Sequence, residues 1–242
     1  MADLDLSNPD SFENGFPHDH FRMLRTTDPI HWHDGDVFGG RGYWVLSKYD
    51  DIKYVSKTPK LFVSGEGNQI EDPRPGEMDV ARSMISMDPP NHPHNRKLVS
   101  QAFTPRMIAA HEPRVRAIVR SILDGVANKG ECDFVLDVAA ELPLQVICEF
   151  LGVAHEDRQK IFDQSNRLLG SEDPEYGNSR AHAAVAAIEL FQFAYKLLQE
   201  RKAEPRDDLV TKLANEQEGD AQLTDLEFGS FFLLLAVAGN ET

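Results

Sequence analysis

Two short segments of this sequence place polar side chains at spacings that suit chemistry. The first spans residues 87–96 and reads Met-Asp-Pro-Pro-Asn-His-Pro-His-Asn-Arg. Pro93 suits the first turn of a helix, so His92 and Arg96, four residues apart, share one face at its start. An imidazole, a guanidinium and the free N–H groups of a helix N-terminus favour an anion such as a carboxylate or phosphate. The segment therefore predicts an anion site.

The second segment is Ala238-Gly239-Asn240-Glu241-Thr242, which follows an apolar run that starts at Phe228. An acid and an alcohol at the end of a buried helix cost free energy unless they are used. Gly239 weakens the helix but lets a ligand approach or the hydrogen-bond ladder open. Glu241 and Thr242 beside such a gap are candidates for a proton relay. Close packing of small residues against another helix is the alternative explanation.

The charge is uneven along the chain. The whole sequence has a net charge of −15, whereas residues 81–120 carry seven Lys/Arg against two Asp/Glu. The acidic total argues against a nucleic-acid partner, which needs a surplus of basic residues. The basic segment indicates a specific anionic partner near residues 81–120, with a solvated helix face as the alternative.

Cysteine content and the N-terminus bear on the compartment. Cys132 and Cys148 are the only cysteines, too few for a disulfide framework, which favours a reducing cytoplasm. The first residues lack a basic region followed by an apolar run, so no secretory signal is predicted. The apolar run 228–238 is too short to span a bilayer, so no membrane anchor is predicted either.

These segments must be positioned by a mainly α-helical fold with a small β-hairpin near the N-terminus. Residues 30–33 and 43–46 are rich in β-formers and predict the hairpin, and residues 50–56 predict a short helix. A long loop covers residues 64–82. Apolar spacing then predicts a succession of helices, of which 137–151 is central and buried. Their predicted ranges are 105–128, 137–151, 155–169, 178–203, 207–215 and 224–238.

The ordered motifs resemble those of bacterial cytochromes P450, the haem-thiolate monooxygenases. Asp88-Pro89-Pro90-x-His92-x-x-x-Arg96, followed by residues 102–106, resembles the C-helix region of that family. Residues 142–153 resemble its next long helix, and Asp207-Asp208-Leu209-Val210 its segment leading into the I helix. Ala-Gly-Asn-Glu-Thr resembles the oxygen-activation motif of the I helix. That form, together with residues 15–18, is most similar to the actinobacterial branch acting on steroids, branched lipids and terpenoids.

The resemblance implies roles for the two segments. His92 and Arg96 would hold the haem propionates, and Ala238 and Gly239 would lie over the haem. Glu241 and Thr242 would deliver protons during dioxygen activation. The resemblance implies a small apolar substrate, for which the candidate contacts are Val63, Met84 and Val237. An acidic ferredoxin-type electron donor would dock on the basic patch of residues 96–120.

The family's thiolate ligand, in a Cys loop downstream of the I helix, has no counterpart here. Neither Cys132 nor Cys148 has the surroundings of a haem ligand, so no metal ligand is assigned. We therefore expect residues 1–242 to be the N-terminal portion of a single cytochrome P450 domain with an incomplete fold. Within it, 1–63 would be mixed β/α, 64–86 the substrate loop, and 87–242 helical. By itself, this portion is predicted to be inactive.

Two other function classes remain open at this stage. The chain alone could be an inactive helical remnant or a module that binds apolar ligands in an open groove. Three His-x-His pairs, at residues 18/20, 31/33 and 92/94, raise a zinc-dependent hydrolase as a remote alternative. Such a site would need a third ligand and a polarised water, which the sequence does not identify.

Overall fold

The computed structural model describes residues 4–34, 42–68, 70, 83–101, 103–170, 180–215 and 222–241, without the side chains of Gln101, Arg180, Asn240 and Glu241. The chain forms two compact units, residues 1–91 and 92–242. In the part that is described, no helix is both long and apolar enough to cross a membrane.

The first unit holds the predicted hairpin between short helices. Its elements are α1 (His18–Thr27), β1 (Ile30–His33), β2 (Tyr43–Leu46) and α2 (Tyr49–Ser56), with 3₁₀ turns at Pro9–Phe12 and Met84–Ser86. The strands are antiparallel and pair Ile30 with Leu46 and His33 with Tyr43, which confirms the predicted hairpin. Residues 35–41, its connecting loop, and 71–82, most of the predicted substrate loop, lie outside the described residues.

Alternation along the strands gives the hairpin two different faces. His33 is buried, whereas Trp32 and Trp44 are 44% and 62% exposed and meet edge to face with 5.0 Å between ring centres. The apolar face of this sheet is therefore open to solvent in the described part of the unit.

The second unit is helical, as predicted. Its helices are α3 (Asn91–Gln101, which begins one residue before the unit), α4 (Pro105–Val126), α5 (Glu141–Leu151), α6 (Arg158–Leu169), α7 (Arg180–Ala203), α8 (Leu209–Asn215) and α9 (Asp225–Glu241). Thr104 caps α4 by accepting the Met107 N–H at 3.3 Å. Helix α9 packs against α5, α6 and α7, and its Phe228, Phe232 and Ala236 are buried in the core.

One predicted helix is divided in two. Residues 137–151 were expected to be continuous, but a π-helical turn (Val135–Ala139) precedes α5. Asp133 accepts the Leu136 N–H at 3.0 Å, and Asp137 accepts the Asp133 N–H at 3.1 Å. These side-chain bonds compete with the regular helical ladder and hold the wider turn. The rest of the prediction is confirmed, since Leu144, Cys148 and Leu151 of α5 are buried.

Candidate functional site

Helix α3 presents a cationic start, as its sequence predicts. Pro93 lies in its first turn, which contains no acidic residue. His92 is half-buried and Arg96 is exposed. No carboxylate among the described residues pairs with the Arg96 guanidinium. An unneutralised guanidinium, an imidazole and free helix N–H groups form a donor set suited to a carboxylate anion.

An adjacent face of α3 is buried within the second unit. Leu98 and Val99 are 1% and 7% exposed, and Asn95 is 3% exposed. The Asn95 side-chain amide donates to Oε1 of Glu227, in the first turn of α9, at 3.0 Å. Residues 95 and 227 are far apart in sequence, so sequence reasoning did not detect this link.

Glu227 also forms a capping box with Thr224 at the start of α9. Its carboxylate accepts the Thr224 N–H at 2.9 Å and the Thr224 hydroxyl at 2.8 Å, while the Glu227 N–H donates to Thr224 Oγ1. Burial by itself would raise the pKa of Glu227. The bonds from Thr224 and Asn95, with nearby His94, outweigh burial and lower that pKa below its usual value. Glu227 is therefore held as a carboxylate between two helices.

Helix α9 carries Val237, Ala238 and Gly239 to its C-terminal end. Val237 is half-buried and Ala238 is exposed. A Cβ atom at Gly239 would overlap the side chain of Ile147 on α5. This face of the glycine is filled by a neighbouring helix, which is the packing explanation raised from the sequence. A ligand approaching Gly239 must come from another side.

The proposed relay residues end the chain. Glu241 is the last residue of α9, and its side chain is not among those described. Thr242 lies outside the described residues. Their role in proton delivery therefore stays a prediction from the sequence.

Two of the substrate candidates belong to the first unit. Val63 is 51% exposed in the segment after α2, and Met84 opens the 3₁₀ turn Met84–Ser86. Asp88 ties this turn region to the start of the loop, accepting the N–H groups of Ser64 at 2.8 Å and Gly65 at 2.7 Å. The Asp-Pro-Pro motif thus has a structural use for its acid that the sequence analysis missed.

The histidine pair of the hairpin is engaged with nearby acids and backbone. His31 Nδ1 lies 2.7 Å from Asp28, and His33 Nε2 lies 3.3 Å from the Leu6 nitrogen and 3.2 Å from Asp5. Among the described residues, no group of three or more His, Cys, Asp or Glu could hold a metal ion.

The two cysteines differ in their surroundings. Cys148 is fully buried in α5, and burial raises the pKa of its thiol to about 12. Cys132 is exposed, between the acidic residues Glu131 and Asp133. Because a metal ligand must be a thiolate, Cys148 is unsuited to that role.

Curated proteins similar to this chain include steroid monooxygenases and lipid hydroxylases. A steroid C26-monooxygenase of Mycolicibacterium smegmatis is 40% identical over 235 residues, which are 93% of this chain and 55% of that protein. A methyl-branched lipid omega-hydroxylase of Mycobacterium tuberculosis is 34% identical, across 100% of this chain and 59% of that protein. The chain thus spans a little over half the length of these curated relatives. No protein-family model matches it.

Solved structures give the same result for the fold. A Mycobacterium marinum cytochrome P450 in complex with pseudoionone superposes with a TM-score of 0.85 at 32% identity, covering 100% of this chain and 62% of that one. A Bacillus megaterium P450 in complex with testosterone gives a TM-score of 0.74 at 30% identity, covering 94% of this chain and 56% of that one.

The helical architecture and its similarity to these solved structures define part of the cytochrome P450 fold. The chain belongs to the bacterial cytochrome P450 family, on its actinobacterial branch. The cofactor of the full-length protein is accordingly haem.

Proposed function

We propose that the full-length gene product containing this chain is a haem-dependent monooxygenase that hydroxylates an apolar substrate with dioxygen. The 40% identity to a steroid C26-monooxygenase over nearly the whole chain carries the proposal. The substrate would be a steroid side chain, a branched lipid or a terpenoid. When bound, haem supplies the oxygen chemistry, and the protein supplies binding, orientation and protons.

The residues of α3 suit one part of that task. His92 and Arg96 would hold the haem propionates, because the described residues leave the Arg96 guanidinium without a carboxylate partner. A propionate is the kind of anion for which this donor set is built. The helix N-terminus adds a favourable dipole.

The end of α9 would serve the reacting face of the cofactor. Ala238, which is exposed, and Gly239 would line that face, and Val237 would contact substrate. Glu241 and Thr242 would pass protons toward the reacting oxygen. Val63 and Met84 would contribute to substrate contact from the loop region, and all 242 residues would belong to one domain.

An electron donor is needed, and a ferredoxin-type protein is our proposal for it. Arg106 and Arg120 of α4 are exposed, and neither has a carboxylate partner within the described residues. These side chains suit an acidic docking surface, whose attraction would weaken as salt is raised. A reducing cytoplasm is the proposed compartment, because Cys132 and Cys148 are both free thiols.

Replacing Arg96 tests the haem assignment. In the full-length gene product, Arg96→Ala should lower the haem affinity of the apoprotein, measured by titration of the haem absorbance band. Loss of one charge-assisted bond, worth about 1.5–3 kcal/mol, corresponds to a roughly tenfold to hundredfold weaker affinity. Arg116→Ala is the matched control, since in the described ranges this exposed arginine pairs with Glu112 of its own helix, at 2.8 Å, and with no other acid. Unchanged haem affinity in Arg96→Ala would remove Arg96 from the site.

A further inference from the structure

Within the described part of the second unit, a buried hydrogen bond joins the cationic helix α3 to helix α9. The Asn95 amide donates to Glu227 Oε1 at 3.0 Å, and Asn95 is 3% exposed. The other carboxylate oxygen, Oε2, accepts both bonds from Thr224. The two bonds from Thr224 therefore hold the Glu227 carboxylate in place independently of Asn95.

The position of Asn95 on α3 allows this hydrogen bond to restrict rotation of the helix about its axis. With 100° between successive residues, His92 and Arg96 lie beside the buried arc formed by Asn95, Leu98 and Val99. A rotation of α3 by about 20° would move a side chain at the helix surface by about 2 Å. Such a shift would break a 3.0 Å hydrogen bond but would leave apolar contacts of Leu98 and Val99 in place.

We propose that Glu227, acting through Asn95, is a positioning residue that sets the rotation of α3 and thereby aims His92 and Arg96 at the haem propionates. This inference rests on the proposed function of α3. An apolar pair of similar volume would hold the helices together at comparable stability. The hydrogen bond between Asn95 and Glu227 also fixes the orientation of α3. An anion site built from two side chains requires such a fixed orientation.

A second hydrogen bond between an amide and an acid of α9 involves a helix other than α3. The Gln199 amide of α7 donates to Asp225, also in the first turn of α9, at 3.0 Å. Gln199 bonds an acid in the same helical turn, but it lies on α7 and not on α3. Its removal should cost stability without altering the direction of His92 and Arg96.

The experiment compares haem affinity with folding stability in the full-length gene product. Asn95→Leu and Glu227→Ala should each weaken haem binding about tenfold, as supporting residues of cofactor ligands do. Glu227→Gln should keep more of the affinity than Glu227→Ala, since its carbonyl oxygen still accepts from Asn95, although its amide can only donate to Thr224 Oγ1 and no longer accepts the Thr224 N–H. Gln199→Leu should leave haem affinity unchanged, although denaturant unfolding of the apoprotein shows a loss of stability.

A variant cycle separates this inference from the proposed function. In a His92→Ala/Arg96→Ala background, the further change Asn95→Leu should cost little additional haem affinity, because the two side chains that Asn95 orients are already absent. An equal loss in both backgrounds, or no loss from Asn95→Leu alone, would overturn the positioning role. Wild-type affinity in His92→Ala/Arg96→Ala itself would instead overturn the propionate site. Should Asn95→Leu fail to fold, the two Glu227 variants make the same comparison.

Discussion

His111 of α4 packs its imidazole against Phe150 of α5, with 4.2 Å between the ring centres and 41° between the ring planes. Burial lowers the pKa of His111, and the neighbouring cations Arg114 and Lys212 lower it further against the opposing effect of Asp207 and Glu149. The folded protein therefore holds this histidine neutral at pH values where the unfolded chain binds a proton.

This shift gives His111 a predictable effect on stability. The unfolded state binds more protons below its pKa of 6.5, so the free energy of unfolding should fall as the pH drops from 6.5 toward the lower folded pKa. Above pH 6.5 the penalty is absent. His111→Phe keeps the ring contact with Phe150 and removes the titration. Urea unfolding at pH 8 and pH 5 should show a smaller decrease in the variant, and equal decreases would contradict the assignment.

Local signals explain which residues could be predicted. The Thr224–Glu227 capping box and the cap of α4 at Thr104 depend on residues three apart, so the sequence contains all that determines them. The Asn95–Glu227 bond depends on how two distant helices pack, and no local pattern contains that information. The acid of Asp88 was missed for the same reason.

At the scale of elements, a buried ion pair links α5, α7 and the turn before α8. Arg201, 2% exposed, donates to the Asp208 carboxylate and to the Gly152 carbonyl at 2.7 Å. Asp208 also accepts the Thr211 N–H at 2.8 Å. Gly152 ends α5 with a φ of +65°, and a Cβ there would overlap Asp208. The Asp-Asp-Leu segment, which resembles a family motif, thus supplies the buried acid that pairs with Arg201.

Removing one partner of this pair should be costly. Arg201→Ala leaves the Asp208 charge buried and unpaired, so we expect the free energy of unfolding to fall by about 3–5 kcal/mol. Arg206→Ala is the control, because Arg206 meets Glu204 at 3.8 Å with both side chains exposed. We expect that change to stay within about 0.5 kcal/mol. Chemical denaturation of both variants measures the difference, and similar losses would contradict the role given to Arg201.

The π-helical turn shows where periodicity misleads at this scale. Residues 137–151 have the apolar pattern of one helix, yet Asp133 and Asp137 bond to nearby backbone N–H groups and interrupt it. Phe134, Val135 and Leu136 are consequently about two-thirds exposed. Acidic residues that can bond their own backbone are a reason to shorten such a helix prediction.

At the scale of the whole molecule, the net charge of −15 conceals a local excess of basic residues. Residues 81–120 carry seven Lys/Arg against two Asp/Glu. Within this segment, Arg96 of α3 and Arg106 and Arg120 of α4 have no carboxylate partner in the described ranges. The motif order predicted the family and the helical architecture correctly, because each motif is local. The packing of Ile147 against Gly239 had to come from the structure, since it joins residues on different helices.

The two cysteines lead to a prediction for the 242-residue chain by itself. A haem thiolate needs an ionised, accessible sulfur, but burial raises the pKa of Cys148 to about 12 and leaves it fully enclosed. Cys132 is accessible but lacks the Gly-rich, Arg-containing surroundings expected of a haem ligand. We therefore expect the chain, mixed with haem, reduced and treated with carbon monoxide, to lack the absorbance band typical of thiolate ligation. The full-length gene product should show the band. If the 242-residue chain showed it and Cys132→Ser abolished it, Cys132 would be the ligand and the assignment of that role to a residue outside this chain would be wrong.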